Sequence, residues 1–138
     1  MAGFRIAHHI TPDPTPKRRP AKSKDYLAFL HTLPCTVTGH HEVQAAHVSF
    51  ASLPYGAYGR GKSHKVNDRW ALPLCEEEHR RQHSMNERDY WDSVGINPHL
   101  LCLILWGLYS DMGDDAQPFA AAIIHQWRTT PSVIGRNA

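Results

Sequence analysis

The pattern of apolar and polar residues predicts a helix and two strands in the first half of the chain. Ser23 is a suitable N-cap residue, and apolar residues at helical spacing predict a short amphipathic helix at 24–32. Pro34 ends it. Two β-prone stretches follow, at 35–39 and 42–48, and they predict a hairpin.

The second half of the chain predicts one short strand and several helices. An apolar run at 70–74 indicates a strand, and its proline suits a sheet edge or a strand end. Residues 76–85 favour a helix, whose first turn holds three glutamates that complement the helix dipole. Three further helices are expected at 86–92, at 98–106 and at 117–128, with core-type apolar faces and no obvious chemistry. Together these elements predict a small α+β protein.

Length and composition restrict the class of protein. The 138 residues suit one domain. The N-terminus has no unbroken apolar region of the kind found in secretion signals, and the longest apolar run, 100–108, is shorter than the roughly 20 residues that a membrane span needs. Three cysteines cannot all pair with one another. These features predict a cytoplasmic protein with no membrane segment.

Basic residues are concentrated in two segments. Residues 1–23 contain four prolines and a cluster of lysines and arginines, which predicts a flexible basic arm that either follows a phosphate backbone or is simply solvated. The long loop at 50–67 interleaves basic residues with Tyr55 and Tyr58, which could stack or wedge against DNA. A solvated flexible loop is the alternative. The predicted DNA contacts are Arg60, Lys62, Lys65, Arg69 and Arg80.

Three of the eleven histidines have a spacing that indicates chemistry. His79 and His83 lie four residues apart on a predicted helix, so both rings project from one face and can bind one metal ion. His47 ends the second predicted strand of the hairpin. Its ordinary pKa, about 6.5, allows it to take a proton from water at neutral pH. Such a group could hydrolyse a phosphodiester bond.

Three stretches resemble the HNH endonucleases, especially small members found in prophages. They are Leu-Pro-Cys-Thr-Val-Thr-Gly at 33–39, Ala-Ala-His-Val at 45–48, and Leu-Pro-Leu-Cys-Glu-Glu-Glu-His-Arg-Arg-Gln-His at 72–83. The resemblance implies a ββα-metal core (hairpin plus helix) at 24–96, with flanking N- and C-terminal helices and a C-terminal helical cap at 97–138.

The same resemblance implies a function: metal-dependent cleavage of DNA, in a phage or prophage setting. His47 would be the general base, and His79 and His83 would hold Mg²⁺ or Mn²⁺, with Zn²⁺ as an alternative. A phage or host protein could confer specificity on so small a nuclease.

This chain departs from the family pattern at several positions. Ala46 stands where a further metal ligand is common, so Asp68 is the candidate for a third ligand. Only Cys35 and Cys75 remain of the cysteines that hold a structural zinc in many members, and two thiolates do not suffice for one. They are expected to pack together in the reduced state. Two other functions fit the residues: a catalytically degenerate HNH-fold protein that binds DNA, and a histidine-rich module that binds a protein partner.

Overall fold

A computed structural model describes residues 24–60 and 65–129 of the chain. The predicted arm at 1–23, the predicted DNA contact Lys62, and residues 130–138 of the predicted cap lie outside the described residues. The elements are, in chain order, α1 (Lys24–Leu30), β1 (Val43–His47), β2 (Ala71–Cys75), α2 (Glu76–His83), α3 (Glu87–Val94), α4 (Pro98–Met112) and α5 (Gln117–Thr129), with short 3₁₀ turns at Leu53–Tyr55 and Gly113–Ala116.

One antiparallel sheet joins β1 to β2, and with the helices it confirms the α+β class. The register sets Val43 opposite Cys75 and His47 opposite Ala71. Pro73 lies inside β2, where its carbonyl accepts a hydrogen bond from Thr36 N rather than from β1. Since the N–H and C=O of one strand residue point to the same side, this position requires no N–H for the ladder.

The prediction that residues 35–39 form the partner strand of β1 is wrong. This segment is a turn, in which Cys35 N donates to His40 O (2.8 Å) and Gly39 N donates to Cys35 O (2.9 Å). Backbone groups that a strand would offer to β1 are therefore used inside the turn. β1 pairs instead with the later apolar run, across the long segment that follows it.

That long segment, residues 48–70, is closed at its base. Val48 N donates to Trp70 O over 2.7 Å, which continues the ladder one step beyond the sheet. Both ends of the segment are thus held beside His47, the last residue of β1.

The predicted helices after β2 are confirmed, and their ends are defined by side chains. The Asn86 side chain accepts from Asp89 N at the start of α3, and Asn97 accepts from Leu100 N at the start of α4. Gly95 ends α3 in the left-handed conformation, at φ 76°. Within the described ranges no single helix is long and apolar enough to cross a membrane, and only the bent combination of Glu87–Val94 with Pro98–Thr129, at 80°, passes by length and composition.

The core lies between the sheet and the helices. Its largest fully buried side chains include Trp91, Tyr26 and Tyr90. Cys102 is also fully buried, with its thiol 3.7 Å from the carbonyl oxygen of Ala71, as expected for a small apolar core residue. α4, the first helix of the predicted C-terminal cap, contributes Leu101 and Leu105 to this core. The helix therefore packs on the sheet and belongs to the same core.

His99 is a buried histidine whose titration should reduce stability in acid. Its Nε2 donates to Phe50 O (2.8 Å), and burial lowers its pKa below the ordinary 6.5, a shift that the Phe50 carbonyl opposes only in part. The unfolded chain therefore takes up the proton first, and the free energy of unfolding should fall as the pH drops below 6.5. Urea unfolding at a series of pH values should show a weaker fall for His99→Gln than for the exposed-site control His125→Gln. Identical pH dependence in the two variants would contradict the assignment.

Candidate active site

An open cleft of about 690 Å³ lies where β1 ends against α2. The antiparallel register carries β2 back alongside β1, and α2 begins directly after it, so a strand histidine and two helical histidines meet. Six of the residues predicted from sequence line this cleft, namely His47, Arg60, Lys65, Asp68, His79 and His83.

His79 and His83 form a close pair on α2. Their Nε2 atoms are 3.2 Å apart. His79 Nδ1 lies 2.6 Å from Gln44 Oε1, and because an amide oxygen only accepts, the hydrogen is on Nδ1 and the Nε2 lone pair faces His83. Burial lowers the pKa of His79, and the neighbouring His83 and His47 lower it further. His79 therefore remains neutral at pH values where an ordinary histidine begins to protonate.

The geometry of this pair fits two ligands of one metal ion. Imidazole nitrogens bound to one tetrahedral ion at about 2.0–2.1 Å are separated by about 3.3 Å. Gln44 orients His79 in the way that hydrogen-bond partners orient metal-binding histidines. Across residues 24–60 and 65–129, no group of three or more His, Cys, Asp or Glu side chains is placed to hold a metal. The described residues thus offer two ligands to an ion whose other positions would go to water or phosphate.

His47 is paired with Asp68. Its Nε2 lies 2.9 Å from Asp68 Oδ1, and the two side chains are 36% and 21% exposed. An ionised carboxylate only accepts, so Nε2 of neutral His47 carries the hydrogen and Nδ1 carries the lone pair. Asp68, predicted as a third metal ligand, thus lies against the candidate base instead.

A partly buried polar network fixes the backbone that directly follows the His47 side chain. Gln82, only 3% exposed, donates to His47 O (3.2 Å) and to Glu87 Oε2 (2.9 Å). Ser49 N donates to both carboxylate oxygens of Glu87, at 3.0 and 3.1 Å. Burial raises the pKa of Glu87, which the Ser49 and Gln82 hydrogen bonds offset only in part. Sequence reasoning missed this network, because a glutamine and a glutamate on short helices ordinarily face solvent.

The basic residues predicted to contact DNA do not all lie in the cleft. Arg60 and Lys65 line the cleft. Arg69 does not, since its guanidinium lies over the Trp70 ring, 5.2 Å from the centroid. Arg80 is exposed on α2 and also stands outside the cleft lining.

Cys35 and Cys75 are buried free thiols that share a partner in Thr38. Thr38 Oγ1 lies 3.8 Å from Cys75 Sγ, while Val37 N and Thr38 N each lie 3.4 Å from Cys35 Sγ. Burial would raise the pKa of the Cys35 thiol, but hydrogen bonds from the side chain and backbone of Thr38 and from the backbones of Cys75 and Val37 outweigh it and lower the pKa. The two cysteines therefore pack together through a threonine hydroxyl, away from the cleft.

Comparison with known families gives one match. Residues 14–106, about two thirds of the chain, match the family described as "Protein of unknown function (DUF968)". The chain belongs to the DUF968 family. The DUF968 match includes every predicted residue that lines the cleft and ends within α4. No curated protein and no solved structure gives a significant match.

Proposed function

We propose that this DUF968 protein is a metal-dependent endonuclease that hydrolyses DNA phosphodiester bonds on an HNH-like ββα-metal core. The observation that carries the proposal is the meeting of three histidines from β1 and α2 in one cleft with Arg60 and Lys65. A general base, a pair of metal ligands and cations for phosphate are the parts that this reaction needs.

His47 acts as the general base in this proposal. Its Nδ1 takes a proton from a water molecule, which attacks phosphorus as the proton leaves. The Asp68 carboxylate, 2.9 Å from Nε2, holds the ring orientation and stabilises the imidazolium that forms. Gln82 keeps the backbone of His47 in place through the carbonyl oxygen.

Phosphate binding is assigned to the cations of the cleft. Arg60 and Lys65, which line the cleft, would contact the charged oxygens of the DNA backbone, and His79 and His83 would hold a divalent ion, Mg²⁺ or Mn²⁺ with Zn²⁺ as the alternative. Such an ion would supply positive charge to the phosphate and to the departing 3′ oxygen. The expected products carry 5′-phosphate and 3′-hydroxyl ends.

Plasmid nicking tests the proposal directly. Purified protein should convert supercoiled plasmid to the nicked form in Mg²⁺ or Mn²⁺, and EDTA should stop it. His83→Ala should lower both the metal affinity and the rate of nicking at least about 10-fold. Substituting residues that bind or support a metal site typically reduces affinity or activity by at least about that factor. His125→Ala, an exposed histidine on α5, is the matched control and should cleave as the wild type does. Equal nicking by all proteins, or nicking that resists EDTA, would contradict the proposal.

A second candidate is a DNA-binding protein that has lost catalysis. Ala46 favours it, because this fully buried methyl side chain provides no ligand beside His47. Salt-sensitive DNA binding with no cleavage in any divalent metal would support this candidate over the first.

A further inference from the structure

The tip of the segment between the strands, residues 49–60 (the tip loop), presents apolar side chains to solvent. Leu53 is 73% exposed and Tyr58 is 86% exposed, which makes them the two most exposed large apolar side chains among the described residues. Apolar side chains so far from any packing partner are candidates for contact with another molecule.

The tip loop is held in a defined shape by its own backbone. Ser52 and Ala57 exchange two hydrogen bonds, of 2.9 and 3.0 Å, which close the turn that carries Leu53. Arg60 N donates to Ser49 O (3.0 Å), so the loop returns to the cleft where it began. Gly59 has φ +81°, and a Cβ there would lie 3.0 Å from Ala51 N, so only glycine fits this close approach.

The base of the tip loop is anchored to the helices. Phe50 O accepts from His99, and the Phe50 ring lies under the Arg88 guanidinium at 4.8 Å. Tyr55 OH accepts from Asn97 Nδ2 (3.1 Å). Tyr55 therefore has a structural contact within the protein. Of the two tyrosines expected to contact DNA, only Tyr58 points into solvent.

The charge around the tip loop indicates which kind of molecule it would bind. The sequence contains no acidic residue between Glu42 and Asp68, while Arg60, Lys62 and Lys65 fall within that stretch. Two acidic side chains lie at the base: Glu87, whose carboxylate accepts from Ser49 N, and Asp92, which shares a groove with Arg88. Exposed apolar side chains on a positively charged segment fit a partner that is negatively charged outside and apolar inside. Duplex nucleic acid has both properties.

The tip loop is joined directly to the cleft through Arg60. Tyr58 is two residues from Arg60, which lines the cleft, so their Cα atoms are at most about 7 Å apart. Base pairs rise by about 3.4 Å each. A duplex whose phosphate is bound at Arg60 would therefore pass the backbone of Tyr58 within a few base-pair steps.

We propose that Leu53 and Tyr58 insert between base pairs of duplex DNA next to the phosphate held in the cleft. The inference rests on the proposed nuclease function and deepens it by naming distorted double-stranded DNA as the substrate. Wedge side chains of this kind partly unstack a base step and bend the duplex. Steps that unstack easily, such as pyrimidine–purine steps and mismatches, should then be the preferred sites.

The test uses duplexes that carry 2-aminopurine, whose fluorescence rises on unstacking. The full-length protein, in EDTA to prevent cleavage, is compared with the double variant Leu53→Ser/Tyr58→Ser and with Phe119→Ser, an exposed apolar residue on α5 that serves as the control. We expect the wild type and Phe119→Ser to raise the fluorescence, and the double variant to lose the rise and at least about 10-fold of duplex affinity. A mismatch placed beside the cleavage position should restore Mg²⁺-dependent cleavage by the double variant.

Two outcomes would overturn the inference and leave the nuclease intact. One is wild-type cleavage with no change in fluorescence at any step near the cut. The other is a change from dimer to monomer in the double variant, measured by analytical ultracentrifugation, because the tip loop would then dock on a second copy of the chain. Neither binding nor cleavage of any DNA by the wild type would instead overturn the proposed function together with the inference.

Discussion

His47→Ala should lower the rate of plasmid nicking at least about 100-fold, while leaving DNA affinity within a small factor of the wild-type value. The reason is that Nδ1 of His47 is the atom assigned to accept the proton of the attacking water, whereas the proposed phosphate contacts are assigned to Arg60 and Lys65, which line the cleft. His47 is also 36% exposed at its side chain, so removing it costs little packing. Initial rates of nicking in Mn²⁺, with affinity measured in EDTA, separate the two quantities.

Two further variants distinguish loss of a base from loss of structure. Added imidazole should restore part of the His47→Ala activity, because the truncated side chain leaves room for a small base. Asp68→Asn keeps a hydrogen-bond acceptor near Nε2 but removes the charge that favours the imidazolium. It should therefore lower the rate less than His47→Ala does. A His47→Ala protein as active as the wild type would exclude the assigned role.

Trp91→Ala should reduce the free energy of unfolding by about 3–5 kcal/mol, the largest stability effect expected for a single substitution in this chain. Trp91 is fully buried and packs against Tyr90 with ring centroids 5.0 Å apart. A loss of that size is a large part of the about 5–15 kcal/mol that stabilises a typical domain. Phe119→Ala, at a side chain that is 54% exposed, is the control and should change the value by no more than about 0.5 kcal/mol.

Urea unfolding followed by far-ultraviolet circular dichroism, a signal that does not depend on tryptophan fluorescence, provides the comparison. Because α3 carries both Trp91 and Glu87, Trp91→Ala should also weaken the network that holds the backbone near His47. A midpoint for Trp91→Ala close to that of Phe119→Ala would mean that α3 contributes little to the core.

The positions of the helices could be predicted from the sequence because residues at the helix ends mark where each helix begins or stops. Asn86 caps α3 through its side chain, Gly95 ends α3 in the left-handed conformation that glycine adopts freely, and Pro98 has a fixed φ that suits the start of α4. None of these effects depends on distant contacts. The spacing of His79 and His83 likewise fixes their shared face once α2 is known to be a helix.

The partner of β1 was not predictable in the same way. The choice between 35–39 and Ala71–Cys75 depends on packing against the helices, because β-propensity alone favours 35–39, with its Thr-Val-Thr, over a stretch that contains a proline. The pairing of Asp68 with His47 and the burial of Gln82 follow from that choice, since they join residues far apart in sequence. Sequence thus indicated the cleft histidines but not the side chains that orient them.

The hydrogen bond between Val48 and Trp70 allows the length of the segment between the strands to vary without disturbing the sheet. It clamps the segment between the strands at its base, beside the sheet. Lengthening a loop with fixed ends costs little, about 0.6 kcal/mol for each doubling of its length. Insertions at the exposed turn around Leu53 should therefore be tolerated by the scaffold, whereas Asp68 and the residues that contact the helices must stay. Relatives could diversify what they recognise through that turn, and a designer could lengthen it while retaining the histidine cleft.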